Sequence, residues 1–198
     1  RYTGDQLNQS DLDVFMAVLC ESYDQPIGAT IYFNGYGLLK RMNWSTNSIS
    51  YKRLLASLKR LQRAQVEVEY TRGPESHRAK VLYVGSFLKN FTEVDARKSA
   101  EAGEALKSTR WLVELDEKLS ELFVNEDTTI GLWSVRKKID GRQPLAQHLL
   151  SFYQTHENPL PMACEFFKQL SGGTDANETN FVYRLEAALD KLVDIGFL

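Results

Sequence analysis

The sequence predicts an α+β chain made of two tandem winged-helix domains, and three observations carry that prediction. Three helical segments, with a short extended run between the first two, lead into an alternating apolar–polar stretch, a Gly-Pro turn and a second strand-like stretch. The helical part then recurs: Arg53-Leu-Leu-Ala-Ser-Leu-Lys-Arg-Leu61 and Arg184-Leu-Glu-Ala-Ala-Leu-Asp-Lys-Leu192 agree at five of nine positions in register. Prolines at comparable places, Pro26 and Pro159, make duplication a better account than shared leucine spacing. The expected boundaries are 1–134 for a first domain with an extended antiparallel sheet and 135–198 for a second, mostly helical domain whose wing is missing.

In order, Ser10 is the expected N-cap of a first helix, with Asp11 and Asp13 at its positive end. Leu12, Phe15, Met16, Leu19 and Tyr23 recur on its inner face, and Pro26 ends the segment. Ala29 to Phe33 reads as extended, and Asn34-Gly35 opens a small helix carrying Leu38, Leu39 and Met42. Ser45 to Ser48 is a cap-rich approach to a longer helix with Leu54, Leu58 and Leu61 inside. Val66 to Tyr70 alternates as a strand, Thr71 to Pro74 turns, and Lys80 to Phe91 completes a hairpin. Glu93 to Ser108 is charged and not expected to pack tightly; Thr109 to Leu115 is a strand able to pair back onto the Lys80 run. Asp116 to Phe123 reads as a short helix and Thr128 to Trp133 as extended. In the second half, Leu145, Leu149, Phe152, Tyr153 and His156 repeat the first helix's apolar face, and Cys164 to Leu170 matches Tyr36 to Met42.

Composition bounds the function. The 198 residues are 43% hydrophobic and 25% charged, and no apolar run is long enough for a membrane span. Cys20 and Cys164 lie inside apolar helical patterns, so two buried thiols in a reducing cytoplasm are expected. Three scattered histidines and no CxxC give no zinc signature. No cofactor is expected, and no P-loop, GxGxxG or HExxH occurs, which argues against an enzyme. His148 reads as a core histidine.

Net charge is −2, but the charges are segregated. Gln25 to Val66 contains no Asp or Glu, yet holds Lys40, Arg41, Lys52, Arg53, Lys59, Arg60 and Arg63. At about 100° per residue Lys52, Ala56, Lys59 and Arg63 share one face, with Arg53 and Arg60 flanking it. A helix face that is cationic throughout suits DNA phosphates better than a merely solvated surface, which acids normally interrupt. Ser45, Thr46, Asn47, Ser50 and Tyr51 open this helix and can reach phosphates or bases; for Ser45 and Ser48 capping is the better reading. The second copy presents Thr179, Asn180, Tyr183 and Arg184, then Asp190 and Asp194, so only its first half is expected on DNA, there reading bases. Lys137, Lys138 and Arg142 either hold phosphate on its approach side or belong to a solvated linker.

The sequence resembles the TrfA family of plasmid replication initiators. The likeness runs through Tyr2-Thr-Gly4, Pro26-Ile-Gly28, Tyr36-Gly-Leu-Leu, Trp44-Ser45, Tyr51 and Leu58-x-x-Leu61-Gln62. It continues in Phe152-Tyr153, His156-Glu157-x-Pro159 and Gly196. The resemblance implies binding of repeated sites (iterons) in double-stranded plasmid origin DNA through two winged helices. It also implies melting of an AT-rich region and recruitment of the host replicative helicase. The host initiator and the sliding clamp are further partners it implies, with dimers and monomers that interconvert. A clamp-binding motif would lie upstream of Arg1, and the second wing would begin where the sequence stops. Two rivals share these features: a winged-helix transcriptional regulator, and a tandem winged-helix module whose basic face meets an acidic protein.

Overall fold

The computed structural model describes residues 1–22, 30–72, 79–94, 110–116, 118–119, 133–156, 161–172 and 177–198. The chain is α+β and divides into two compact units, Arg1–Thr128 and Thr129–Leu198. Pro26, Pro159, the tip of the Thr71–Pro74 turn, most of Glu93–Ser108, and most of the Asp116–Phe123 and Thr128–Trp133 segments lie outside the described residues.

In the first unit, helix α1 (Gln9–Ser22) is capped by Asn8 rather than Ser10. The Asn8 Oδ1 accepts from the Ser10 and Asp11 N–H groups at 2.9 and 3.3 Å, and Asp11 Oδ2 accepts from the Asn8 N–H at 2.9 Å. Two of the helix's orphan donors and the preceding N–H are thereby satisfied reciprocally. The buried face is Val14, Phe15, Ala17 and Val18, while Leu12, Met16 and Leu19 are half-buried. The helix is therefore rotated from the orientation its leucines suggest, because Asp11 turns inward. Cys20 falls on the outer side, and Cys164 sits in the first turn of its helix, ahead of the buried Phe167; both thiols are exposed, not core.

Helix α2 (Gly35–Arg41) starts where expected, with Asn34 accepting from the Gly37 N–H. It ends through Asn43, whose φ of 58° is left-handed. There the Asn43 N–H donates to the Lys40 carbonyl at 3.1 Å and the Trp44 N–H to the Leu39 carbonyl at 2.9 Å. Asparagine tolerates that conformation better than most residues, and it turns the chain sharply enough for a third helix to follow. Helix α3 (Ser48–Arg63) is capped by Asn47, which accepts from the Ser50 N–H at 2.8 Å. The cap is thus Asn47 and neither serine. Asn47→Ala is expected to cost about 1 kcal/mol in urea unfolding. Ser48→Ala should stay within about 0.5 kcal/mol; equal losses would contradict the cap assignment.

Two three-stranded antiparallel sheets complete the unit. One has the order β1 (Tyr2–Thr3), β3 (Gln65–Arg72), β4 (Ala79–Ser86), with Val66 opposite both Tyr2 and Gly85. The other has the order β2 (Thr30–Asn34), β6 (Arg110–Glu114), β5 (Asn90–Val94). Its inner face pairs Ile31 with Val113 and Phe33 with Trp111, and alternate residues such as Tyr32 face outward. The expected single Lys80–Phe91 strand is split. Leu88 is wholly buried and the Ser86 hydroxyl donates to its carbonyl at 2.7 Å, a bend that carries the chain from one sheet into the other. Residues 110–114 consequently pair with β5 and β2, not with β4.

The second unit contains α4 (Trp133–Arg136), α5 (Pro144–Gln154), α6 (Cys164–Leu170) and α7 (Glu178–Asp194). Its core joins Leu145, Leu149 and Leu150 to Phe167 and to Phe181, Leu185 and Leu192. No strand occurs among its described residues. Both α2 and α6 span seven residues, and Gly172, at φ 65°, stands where Asn43 does. Leu54, Ser57 and Leu61 of α3 and Leu185, Ala188 and Leu192 of α7 are all buried, in the register of the sequence match. No described helix is long and apolar enough to cross a membrane.

Candidate nucleic-acid interface

Helix α3 presents Lys52, Lys59 and Arg63 to solvent with the small Ala56 between them. Among the described residues no carboxylate pairs with any of the three. From Lys52 to Arg63 the helix rises about 16 Å, more than the roughly 12 Å width of a B-DNA major groove. The cationic face therefore runs the length of the helix. Opposite this face, Leu54, Leu58 and Leu61 anchor the helix in the core.

The flanking cations are not equivalent, and several sequence assignments need correction. Arg60 turns inward: its guanidinium donates to Asp11 at 2.7, 3.1 and 3.2 Å and to the Ser57 hydroxyl at 3.2 Å. The hydrogen bonds it donates to Asp11 raise its pKa, outweighing partial burial. Its charge is spent on holding α1 against α3. Arg41 pairs with Glu21 at 2.8 Å. Arg53 lies over the Trp44 ring, 4.2 Å from the centroid, and donates to the Ser10 hydroxyl; it keeps its charge but is held at the helix's edge. Lys40 is exposed, with its ammonium 5.5 Å from the Tyr36 ring centroid.

Tyr51 packs inward. Its ring packs 5.1 Å from Trp111, centroid to centroid, and against Gly35, where an added Cβ would lie 2.5 Å from ring carbon Cε2. It fixes α3 to the sheet that carries Trp111. Gly35→Ala should therefore cost about 1–3 kcal/mol by overpacking, read from urea unfolding, and a neutral result would show that the ring can move aside. Of the polar residues opening α3, Ser45 and Thr46 are exposed, Ser50 is half-buried and shares a 2.8 Å hydroxyl contact with Ser45, and Asn47 caps. Ile49 has no charge or hydrogen-bonding group by which sequence reasoning could single it out, yet it is 75% exposed on the first turn.

On α7, Thr179, Asn180, Tyr183, Arg184 and Ala187 are exposed on the leading half, and Asp190 and Asp194 on the trailing half. Tyr183 is 67% exposed, and Asn177 caps the helix by accepting from the Thr179 N–H at 3.0 Å. Lys137 and Lys138 are exposed after α4. Arg142 instead chelates Asp140 at 2.8 Å, and that bond holds the Asp140 carboxyl down at about 2, so this pair offers phosphate little net charge. His148 is half-buried, and burial followed by the nearby Arg136 lowers its pKa, in keeping with a packed neutral imidazole.

A sequence profile described as TrfA protein matches residues 1–198. The plasmid replication initiator protein TrfA of Escherichia coli is 27% identical over all 198 residues, which cover 47% of its length. The chain therefore spans about half of that relative. Two crystal structures of RctB domains 2 and 3 superpose with TM-scores of 0.65 and 0.66 at 12% and 13% identity, each covering 96% of this chain and 72% of the other. At that identity the likeness concerns the fold.

Proposed function

This chain belongs to the TrfA family, and from that premise we propose that it is a non-enzymatic plasmid replication initiator that binds repeated sites in duplex origin DNA. In this reading each unit acts as a winged helix and lays its third helix into the DNA, α3 gripping phosphates and α7 reading bases. The observation that carries it is the α3 face of Lys52, Lys59 and Arg63, with no acid among them. Net charge argues against a polyanion partner, but with screening over about 8–10 Å the local face decides. Opening of an AT-rich region and recruitment of the host helicase, host initiator and sliding clamp follow from the family alone, as does a homodimer.

Footprinting on the origin of the plasmid that encodes the chain tests this reading. A periodic array of protected repeats is expected. One isolated protected operator would replace the initiator by a transcriptional regulator. No protection at all would leave the basic face to an acidic protein partner.

A further inference from the structure

We propose that Ile49 is a base-reading residue that recognises the C5-methyl group of thymine in the major groove, and that it shares one reading position with Asn180 of the second unit. The inference rests on the DNA-binding reading above. Its first support is placement. Ile49 is the second residue of α3, 75% exposed, and neighbours Lys52 and Arg53 one turn on. A single exposed isoleucine is unremarkable by itself. Here it stands on the leading turn of a helix whose outward face is otherwise small or cationic, where a ligand of high negative charge would bring apolar surface against it.

The second support is the internal repeat. In the register that aligns Leu54 with Leu185 and Leu61 with Leu192, all four buried, Ile49 falls on Asn180 and Ser48 on Thr179. Both residues at the first position carry hydroxyls and both at the second are exposed. The two side chains at that second position suit the two halves of one base pair. An aliphatic side chain meets the thymine methyl, and an amide bonds adenine N6 and N7 in bidentate fashion. Duplication followed by divergence at a reading position yields such a pair.

The test uses duplexes enriched for binding from a random library, each synthesised with thymine or with uracil, which lacks only the methyl. Wild-type protein should bind the uracil form about fourfold more weakly for each methyl lost to Ile49, the worth of one buried methyl-sized group. Ile49→Ala should bind both forms alike, at the level of the uracil form, and Ile49→Val should keep part of the difference. If wild-type protein binds both forms equally, or if Ile49→Ala stays as sensitive to uracil as wild type, the proposal is overturned while the DNA reading stands. Failure to enrich any duplex with salt-sensitive affinity would overturn both together.

Discussion

Asp11→Ala is expected to destabilise the first unit by about 3 kcal/mol. Asp11 is wholly buried and accepts from two nitrogens of Arg60 and from the Asn8 N–H. Removing it leaves Arg60 half-enclosed without its counter-charge and strips one half of the α1 cap. The Arg60 side chain retains 26% exposure and so recovers some hydration, which keeps the cost at the lower end of the range for a broken buried pair. For a unit of this size the midpoint of thermal unfolding should fall by about 10 °C. Asp11→Asn retains a capping oxygen and should lose about half as much. The pair Asp11→Leu with Arg60→Met should recover to within about 1 kcal/mol of wild type, since burying two ions costs nearly what their attraction returns. If the double variant were as unstable as Asp11→Ala, the charge pair would not be the cause. Calorimetry of the four proteins decides the matter.

That ion pair also marks where sequence reasoning stops. Helical periodicity is local, and it placed α2, α3 and α7 and the buried leucines of the two third helices in one register. The acids that neutralise Arg60 and Arg41 come from 49 and 20 residues away. A stretch free of carboxylates in sequence is therefore not free of them in space: α1 brings Asp11 and Glu21 back against it. The same limit explains Tyr51. Its hydroxyl and its place beside cations suggested a phosphate contact, but the partner that holds it inward, Trp111, lies on a strand of another region. Ile49 shows the converse. A search for charge and hydrogen-bonding groups discards isoleucine, and only its exposure and its partner position in the repeat bring it back. The sheet switch at Leu88 was hidden for a related reason, since both strands it separates satisfy the same alternating pattern.

Changing Lys52, Lys59 and Arg63 together to alanine should reduce the salt dependence of DNA affinity by about 2.7 logarithmic units per tenfold salt, near 0.9 for each phosphate contact. The advantage of wild type over the variant should then shrink by about 40-fold between 50 and 200 mM salt. This slope is a better measure than affinity at one salt concentration, because it counts released counterions rather than lost contacts of any kind. Stability should be nearly unchanged, since all three side chains are exposed and have no described ion-pair partner. Arg41→Ala serves as the control. Its charge is offset by Glu21 at 2.8 Å, so the slope should move by much less than one unit. Equal slopes for the triple variant and wild type would remove α3 from the DNA. A fall as large for Arg41→Ala as for one α3 residue would mean that the ion pair opens on binding. Asn180→Ala must behave differently from both if α7 reads bases: the slope stays, and preference at one base pair relaxes by about 1–3 kcal/mol. Phosphate grip and base reading thus reduce to two separable observables, a salt slope set by the α3 cations and a base preference set by Asn180 of α7 and Ile49 of α3.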